Sequence, residues 1–180
     1  FRQLTKGFDH EYSVLDHLEG KLLVIINHEA PKRKMVLMDP VAPDPSRWKD
    51  IIPEKEEVLE TASMAGSGLV AVYMHHASSQ AFLYDMTGKQ LAEMNLPGIG
   101  TLAGFSGKRG VNTAYYGFTS FTFPTTIFRL DLANNTSEVF YRPEIDFNPD
   151  LYEVKQIFFA SKDGTEVPMF IVMKKGTLLN

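Results

Sequence analysis

Three apolar stretches of the chain close on an aspartate: Met35-Val-Leu-Met-Asp39, Ala81-Phe-Leu-Tyr-Asp85 and Ile127-Phe-Arg-Leu-Asp131. Asp39, Asp85 and Asp131 fall at a constant interval of 46 residues. An apolar run ending in an acidic turn, repeated with a period in the mid-forties, is the sequence signature of a β-propeller blade. A blade is a small four-stranded sheet whose faces stay uncovered until its neighbours stack on them. Three blades do not close a ring, so the chain is expected to be a piece of a larger protein.

Each repeat resolves into four short strands. The first unit, about residues 9–52, offers Tyr12–Asp16, Lys21–Asn27, Lys34–Asp39 and Trp48–Ile51, with turns at Leu18-Glu19-Gly20 and Ala30-Pro31. The second, about 57–96, offers Val58–Ser63, Leu69–Met74, Ala81–Asp85 and Gln90–Met94, with turns at Gly66-Ser67-Gly68 and Thr87-Gly88. The third, about 99–141, offers Thr101–Phe105, Thr113–Phe118, Ile127–Asp131 and Ser137–Tyr141, and Asn134-Asn135 suits a turn with two positive φ angles. A helix over Glu54–Ser63 is the weaker alternative, because Pro53-Glu54 resembles a helix start within a β-branched and aromatic neighbourhood. Residues 1–143 are therefore expected to be a partial propeller, and 144–151 an acidic, proline-bearing linker. Residues 152–180 start a different domain with Tyr152–Ser161, an Asp163-Gly164 turn and Glu166–Lys174, a strong hairpin signal.

Composition excludes several functions. A net charge of −4 with scattered basic residues argues against nucleic acid as a partner. The densest basic cluster, Lys32-Arg33-Lys34, reads as a solvated hairpin tip. With no cysteine, there is no disulfide, thiolate metal site or cysteine nucleophile. No apolar run approaches the ~20 residues of a membrane span, and the chain opens at Phe1 without a basic leader. No membrane partner is expected, and the location is taken as cytoplasmic with the periplasm left open.

The later segments carry a resemblance. Phe118-Thr-Ser-Phe121, Pro124, Ile127-Phe-Arg-Leu-Asp131, Tyr152-Glu-Val-Lys-Gln-Ile157, Ser161-Lys-Asp-Gly-Thr165, Val167-Pro-Met-Phe-Ile-Val172 and Lys174-Lys-Gly176 together resemble the prolyl oligopeptidase family. Trp48-Lys49, Ile52-Pro53-Glu54 and Glu57-Val-Leu-Glu60 are similar to an earlier part of the same propeller. The resemblance implies the last blades of a seven-bladed propeller running into an α/β-hydrolase domain. It also implies a serine endopeptidase that cuts short peptides after proline, with a propeller that gates the active site. Short proline-containing peptides are then the partner of the parent enzyme, and no cofactor is implied.

The chemistry itself is expected elsewhere. Gly104-Phe-Ser106-Gly107-Lys108 is the nearest approach to a Gly-x-Ser-x-Gly elbow, and it lacks the second glycine where one is required. Ser106 therefore reads as a turn serine. The family's oxyanion tyrosine belongs to a tyrosine- and glycine-rich motif shortly after Lys174-Lys-Gly176, which this chain does not contain. No catalytic, cofactor-binding or metal-binding residue is assigned.

The remaining candidates take bland readings. His75-His76 are neighbours that would face opposite ways on a strand, so they suit a strand end better than a metal. His10, His17 and His28 read as isolated surface residues. Asp39, Asp85 and Asp131 read as turn caps before calcium ligands. Gly98, Gly100, Gly104, Gly107 and Gly110 read as turn glycines, since no phosphate-loop spacing or following helix accompanies them. Trp48, Tyr115, Tyr116, Phe118, Phe121 and Phe123 read as packing between blades.

Two alternatives remain beside the endopeptidase: a non-catalytic propeller module, and the lid of a dipeptidyl-peptidase or oligopeptidase B type enzyme. The hairpin after the last blade argues against the first, and the Ser-Lys-Asp-Gly-Thr wording against the second. The excised chain is expected to self-associate through bare blade faces or hairpin edges.

Overall fold

A computed structural model describes residues 3–178. The chain is all-β, built as three four-stranded antiparallel sheets and a two-stranded hairpin. Sheet 1 comprises β1 (Tyr12–Leu18), β2 (Lys21–Ile26), β3 (Lys34–Met38) and β4 (Lys49–Ile52). Sheet 2 comprises β5 (Val58–Ala65), β6 (Gly68–His75), β7 (Ser78–Asp85) and β8 (Gln90–Glu93). Sheet 3 comprises β9 (Thr101–Gly107), β10 (Thr113–Thr119), β11 (Thr126–Asp131) and β12 (Thr136–Tyr141). The hairpin pairs β13 (Tyr152–Ala160) with β14 (Glu166–Lys174). Within each sheet every strand pairs with the next in sequence. The first strands converge, with β5 lying against both β1 and β9, whereas the fourth strands β8 and β12 have no buried residue.

Burial follows the stacking. Leu23, Ile25, Met35, Ile52, Leu59, Leu69, Ala71, Tyr73 and Tyr84 fill the layer between sheets 1 and 2. Val70, Val72, Leu83, Leu102, Tyr116, Phe118, Phe128 and Leu130 fill the layer between sheets 2 and 3. Strand β6 faces both layers, so Leu69–Tyr73 is one unbroken buried run. Strands β10 and β11 bury alternate residues, as expected for a sheet packed on one side only.

Two expectations about the ends of this stack part ways. The outward face of sheet 3 is open, with Ile127, Phe140 and Tyr141 exposed. That of sheet 1 is not: Val24, Ile26, Val36 and Met38 are at most 2% exposed, with Tyr12, Leu22 and Trp48 packed on them. Trp48 therefore seals an end of the stack rather than a layer between blades. Its indole N–H donates to the Pro43 carbonyl at 3.1 Å.

Every sheet also carries bulges that strand patterning did not reveal. Leu15, Glu60 and Gly104 are the unopposed residues where the first strand pairs with the second. Ile51, Leu91 and Phe140 hold the same role between third and fourth strands. A bulge adds local right-handed twist, and its recurrence gives the sheets matching faces.

Residues 58–63 are strand, as the leading reading of the second unit had them, and not the alternative helix. Other local readings need correcting. Ser106 lies within β9 opposite Tyr115, not in a turn. Gly104 has φ +67° and is a bulge glycine, and Gly107 ends a strand. Of the asparagine pair only Asn135 has positive φ, 52°; Asn134 instead donates its side-chain amide to Asp131 Oδ2 at 2.8 Å. The Lys32–Lys34 cluster is tied down rather than freely solvated. The Lys32 ammonium donates to the Glu56 carbonyl, Arg33 pairs with Glu11 at 2.7 Å and Lys34 with Asp50 at 3.2 Å.

Gly88 shows how closely the sheets approach. It sits in the β7–β8 turn with φ +90°, and a Cβ there would stand 1.7 Å from the Ile51 carbonyl oxygen of sheet 1. Gly88→Ala combines left-handed strain with a backbone clash and is expected to lower stability by more than about 2 kcal/mol in urea unfolding. The control Gly164→Ala, in open space at φ +84°, bears the φ strain alone and is expected to cost about 1 kcal/mol.

Candidate functional site

The three aspartates of the repeat cap turns. Asp39 Oδ1 accepts from the Val41 amide at 2.8 Å. Asp85 Oδ1 accepts from the Thr87 amide at 2.8 Å, the Thr87 hydroxyl at 2.6 Å and the Lys89 amide at 3.0 Å. Asp131 Oδ1 accepts from the Ala133 amide at 2.9 Å. Asp163 repeats the arrangement in the hairpin, accepting from the Thr165 amide at 3.0 Å. No acidic or histidine cluster among the described residues has the grouping of a metal site.

The hydroxyl and amide donors of Thr87 and Lys89 hold Asp85 below the usual carboxylate range; the Ala133 amide and the Asn134 side chain do the same for Asp131. A depressed folded-state value stabilises the fold above the unfolded pKa near 3.8, and that contribution is lost as pH falls through the folded value. Asp85→Asn with Asp131→Asn keeps the turn acceptors and removes the titration. The double variant is expected to show a shallower fall in melting temperature below about pH 4 than the parent chain.

Lys55, on the connection from β4 to β5, was not singled out by any motif. Its ammonium lies 5.2, 5.0 and 5.1 Å from the ring centroids of Tyr73, Phe82 and Tyr84. It donates to Tyr84 Oη at 2.5 Å and to Gln90 Oε1 at 2.8 Å. Burial raises the Tyr73 phenol pKa, so that hydroxyl stays neutral beside Tyr84 Oη at 3.3 Å. Three aromatics at mixed offsets on one sheet give no sequence signal for a cation box, because its fourth wall comes from the preceding connection. Lys55→Met retains the stem but loses the charge, and is expected to cost about 1–2 kcal/mol in urea unfolding.

The histidines separate into three places. His10 and His28 are not isolated: their rings lie 4.6 Å apart, and His28 is 5.6 Å from Trp48, beside an open cleft of about 570 Å³. His17 is exposed next to Asp16. His75 ends β6 and bonds Glu57 Oε1 through Nδ1 at 2.8 Å, and His76 occupies the β6–β7 turn. A strand-end and turn role is what the structure gives this pair.

The hairpin meets sheets 2 and 3 at that same end. Gln156 Nε2 donates to the His76 carbonyl at 2.5 Å, and the Phe158 ring meets His76 edge-on at 4.8 Å. Phe170 lies 5.3 Å from Phe121, and the two border a cleft of about 260 Å³ with Ala77, Gly100 and Thr119. Phe121, 66% exposed, thus belongs to the hairpin junction, not to blade packing. Tyr116, Phe118 and Phe123 do pack within the core, and Tyr115 meets Phe140 on the open face. The Ser46 hydroxyl donates to Asp44 Oδ1 at 2.6 Å as part of a turn cap, and Ser106 is a strand residue of β9.

Radially stacked four-stranded sheets with converging first strands define a segment of a β-propeller. The family model of the prolyl oligopeptidase N-terminal β-propeller domain matches residues 1–143, and the chain belongs to that family. It is 38% identical over 98% of its length to a prolyl endopeptidase of Elizabethkingia miricola. It is 31% identical over 92% of its length to one of Dictyostelium discoideum. A solved prolyl endopeptidase structure superposes on 96% of the chain with a TM-score of 0.85 and 34% identity. A prolyl oligopeptidase B from Galerina marginata shares the fold with a TM-score of 0.85. The chain spans about a quarter of each: 25% and 23% of the two curated relatives, and 26% of each solved chain.

Proposed function

We propose that the chain is part of a proline-specific serine endopeptidase that hydrolyses short peptides on the C-terminal side of proline. The observation that carries this reading is a propeller segment followed, across residues 144–151, by the β13–β14 hairpin, matched over almost the whole chain by prolyl endopeptidases. Sheets 1–3 form part of the lid that limits entry to the active site, residues 144–151 form the hinge, and 152–180 begin the peptidase domain. Peptides reach this assignment through relatives as well: one solved prolyl oligopeptidase B is bound to a 35-residue substrate of hydrolysis and macrocyclisation.

In this reading the nucleophile, base and oxyanion donors lie outside residues 3–178, and the chain alone is inactive. Its contribution is steric. Stacked sheets admit a flexible peptide and refuse a folded protein, while the chemistry is acyl transfer by a serine triad in the other domain. The experiment is paired. The 180-residue chain is expected to give no release from a glycyl-prolyl fluorogenic peptide and no labelling by a fluorophosphonate. The longer protein that contains it is expected to give both, with cleavage after proline. Labelling of the short chain, or cleavage by the longer protein that ignores proline, overturns the proposal.

A further inference from the structure

The β6–β7 turn is made of the wrong residues for its shape. His76 and Ala77 have φ 46° and 59°, a two-residue turn of the kind normally built from Asn-Gly. Among the described residues it is the single place where two consecutive non-glycine residues are left-handed. Such strain persists where the surroundings over-determine it, and it concentrates at clamps and switches.

The surroundings here come from three directions. On the sheet, the Ser78 hydroxyl donates to the His75 carbonyl at 2.8 Å, and His75 Nδ1 meets Glu57 at 2.8 Å. From the hairpin, Gln156 reaches the His76 carbonyl, which takes no part in the β6–β7 ladder, and Phe158 meets the His76 ring. His75 closes the row, its ring 4.1 Å from that of His76. Below Ala77, Phe121 and Phe170 make a second ring contact between sheet 3 and the hairpin.

The hairpin shares no ladder with any of the three sheets. Its seat therefore depends on these few side-chain contacts and on the linker that precedes it. We propose that the His76-Ala77 turn is a clasp: a strained, preformed catch that holds β13–β14 in one orientation on the propeller and lets it leave as a unit. The paired contacts of Gln156 and Phe158 on one residue make release all-or-none, because either contact alone leaves a marginal hairpin unseated. This inference concerns contacts within the chain and stands apart from the peptidase reading.

Hydrogen exchange on the 180-residue chain tests it. Phe158→Ala and Gln156→Glu, which removes the donor without changing size, are each expected to speed β13–β14 amide exchange about tenfold or more, leaving β6–β7 amides unchanged. Phe158→Tyr is expected to restore protection. His76→Asn with Ala77→Gly keeps the turn and its carbonyl but deletes the ring, and is expected to loosen the hairpin less than Phe158→Ala. Unchanged hairpin exchange in both single variants overturns the clasp. So does equal acceleration in β6–β7, which would mark general destabilisation.

Discussion

The architecture rests on apolar contact between sheet faces. A four-stranded sheet with strands of four to eight residues is too small to hide its own apolar side chains. Sheet 2 solves this by burying both faces of β6, so that Leu69, Ala71 and Tyr73 join one layer while Val70 and Val72 join the next. Everything else adjusts to that contact. The recurring bulges twist each sheet to match its neighbour, and Gly88 removes the side chain that would hold the Ile51 backbone away. At roughly 0.8 kcal/mol for each buried methylene, these layers outweigh any single polar contact in the molecule.

Polar interactions act on this frame as positional detail. The Asx turns at Asp39, Asp85 and Asp131 satisfy amides that no ladder reaches, which is why the same residue recurs at the same place in each sheet. Ser79 is the buried counterpart: its hydroxyl accepts from the Leu102 amide at 3.0 Å, joining sheet 2 to the first strand of sheet 3. Lys55 lays a stem that would otherwise trail through solvent over the aromatic face of sheet 2.

Much of this was legible in the sequence, and the division has a physical cause. Strand positions, the turns that carry Asp, Gly or Asn, and the aspartate period depend on local backbone preference, so period-two patterning and those residues at strand ends locate them, whereas the His76-Ala77 turn carries no such mark. The hairpin was equally plain from Asp163-Gly164 between two apolar runs. What stayed hidden is set by partners distant along the chain. Leu15 and Glu60 look like ordinary strand residues until a facing strand leaves them unopposed. His28 and Trp48 meet only because β3 and its following connection fold back over β2. Phe121 reads as core by composition and is diverted to Phe170, forty-nine residues away along the chain. The family resemblance supplied the functional context that local patterning lacks.

Arg109 ties distant sheets together along one rim of the stack. Its guanidinium crosses from the β9–β10 turn to Asp16 at 2.5 Å and to the His17 carbonyl, while Gly110 bonds the Gly66 carbonyl at 3.0 Å beneath it. The end of β1 and the β5–β6 and β9–β10 turns are thereby joined along one rim. At the opposite rim, where the hairpin sits, the sheets are joined pairwise by backbone bonds: the Leu59 amide donates to the Lys32 carbonyl at 3.0 Å, and the Ser79 amide to the Gly100 carbonyl at 2.9 Å. The stack is thus tied at both edges, by one long side chain from sheet 3 to sheet 1 on the Arg109 side and by short bonds between adjacent sheets on the other. The hairpin therefore leans, through His76 and Phe121, on a rim whose backbone is already fixed in place.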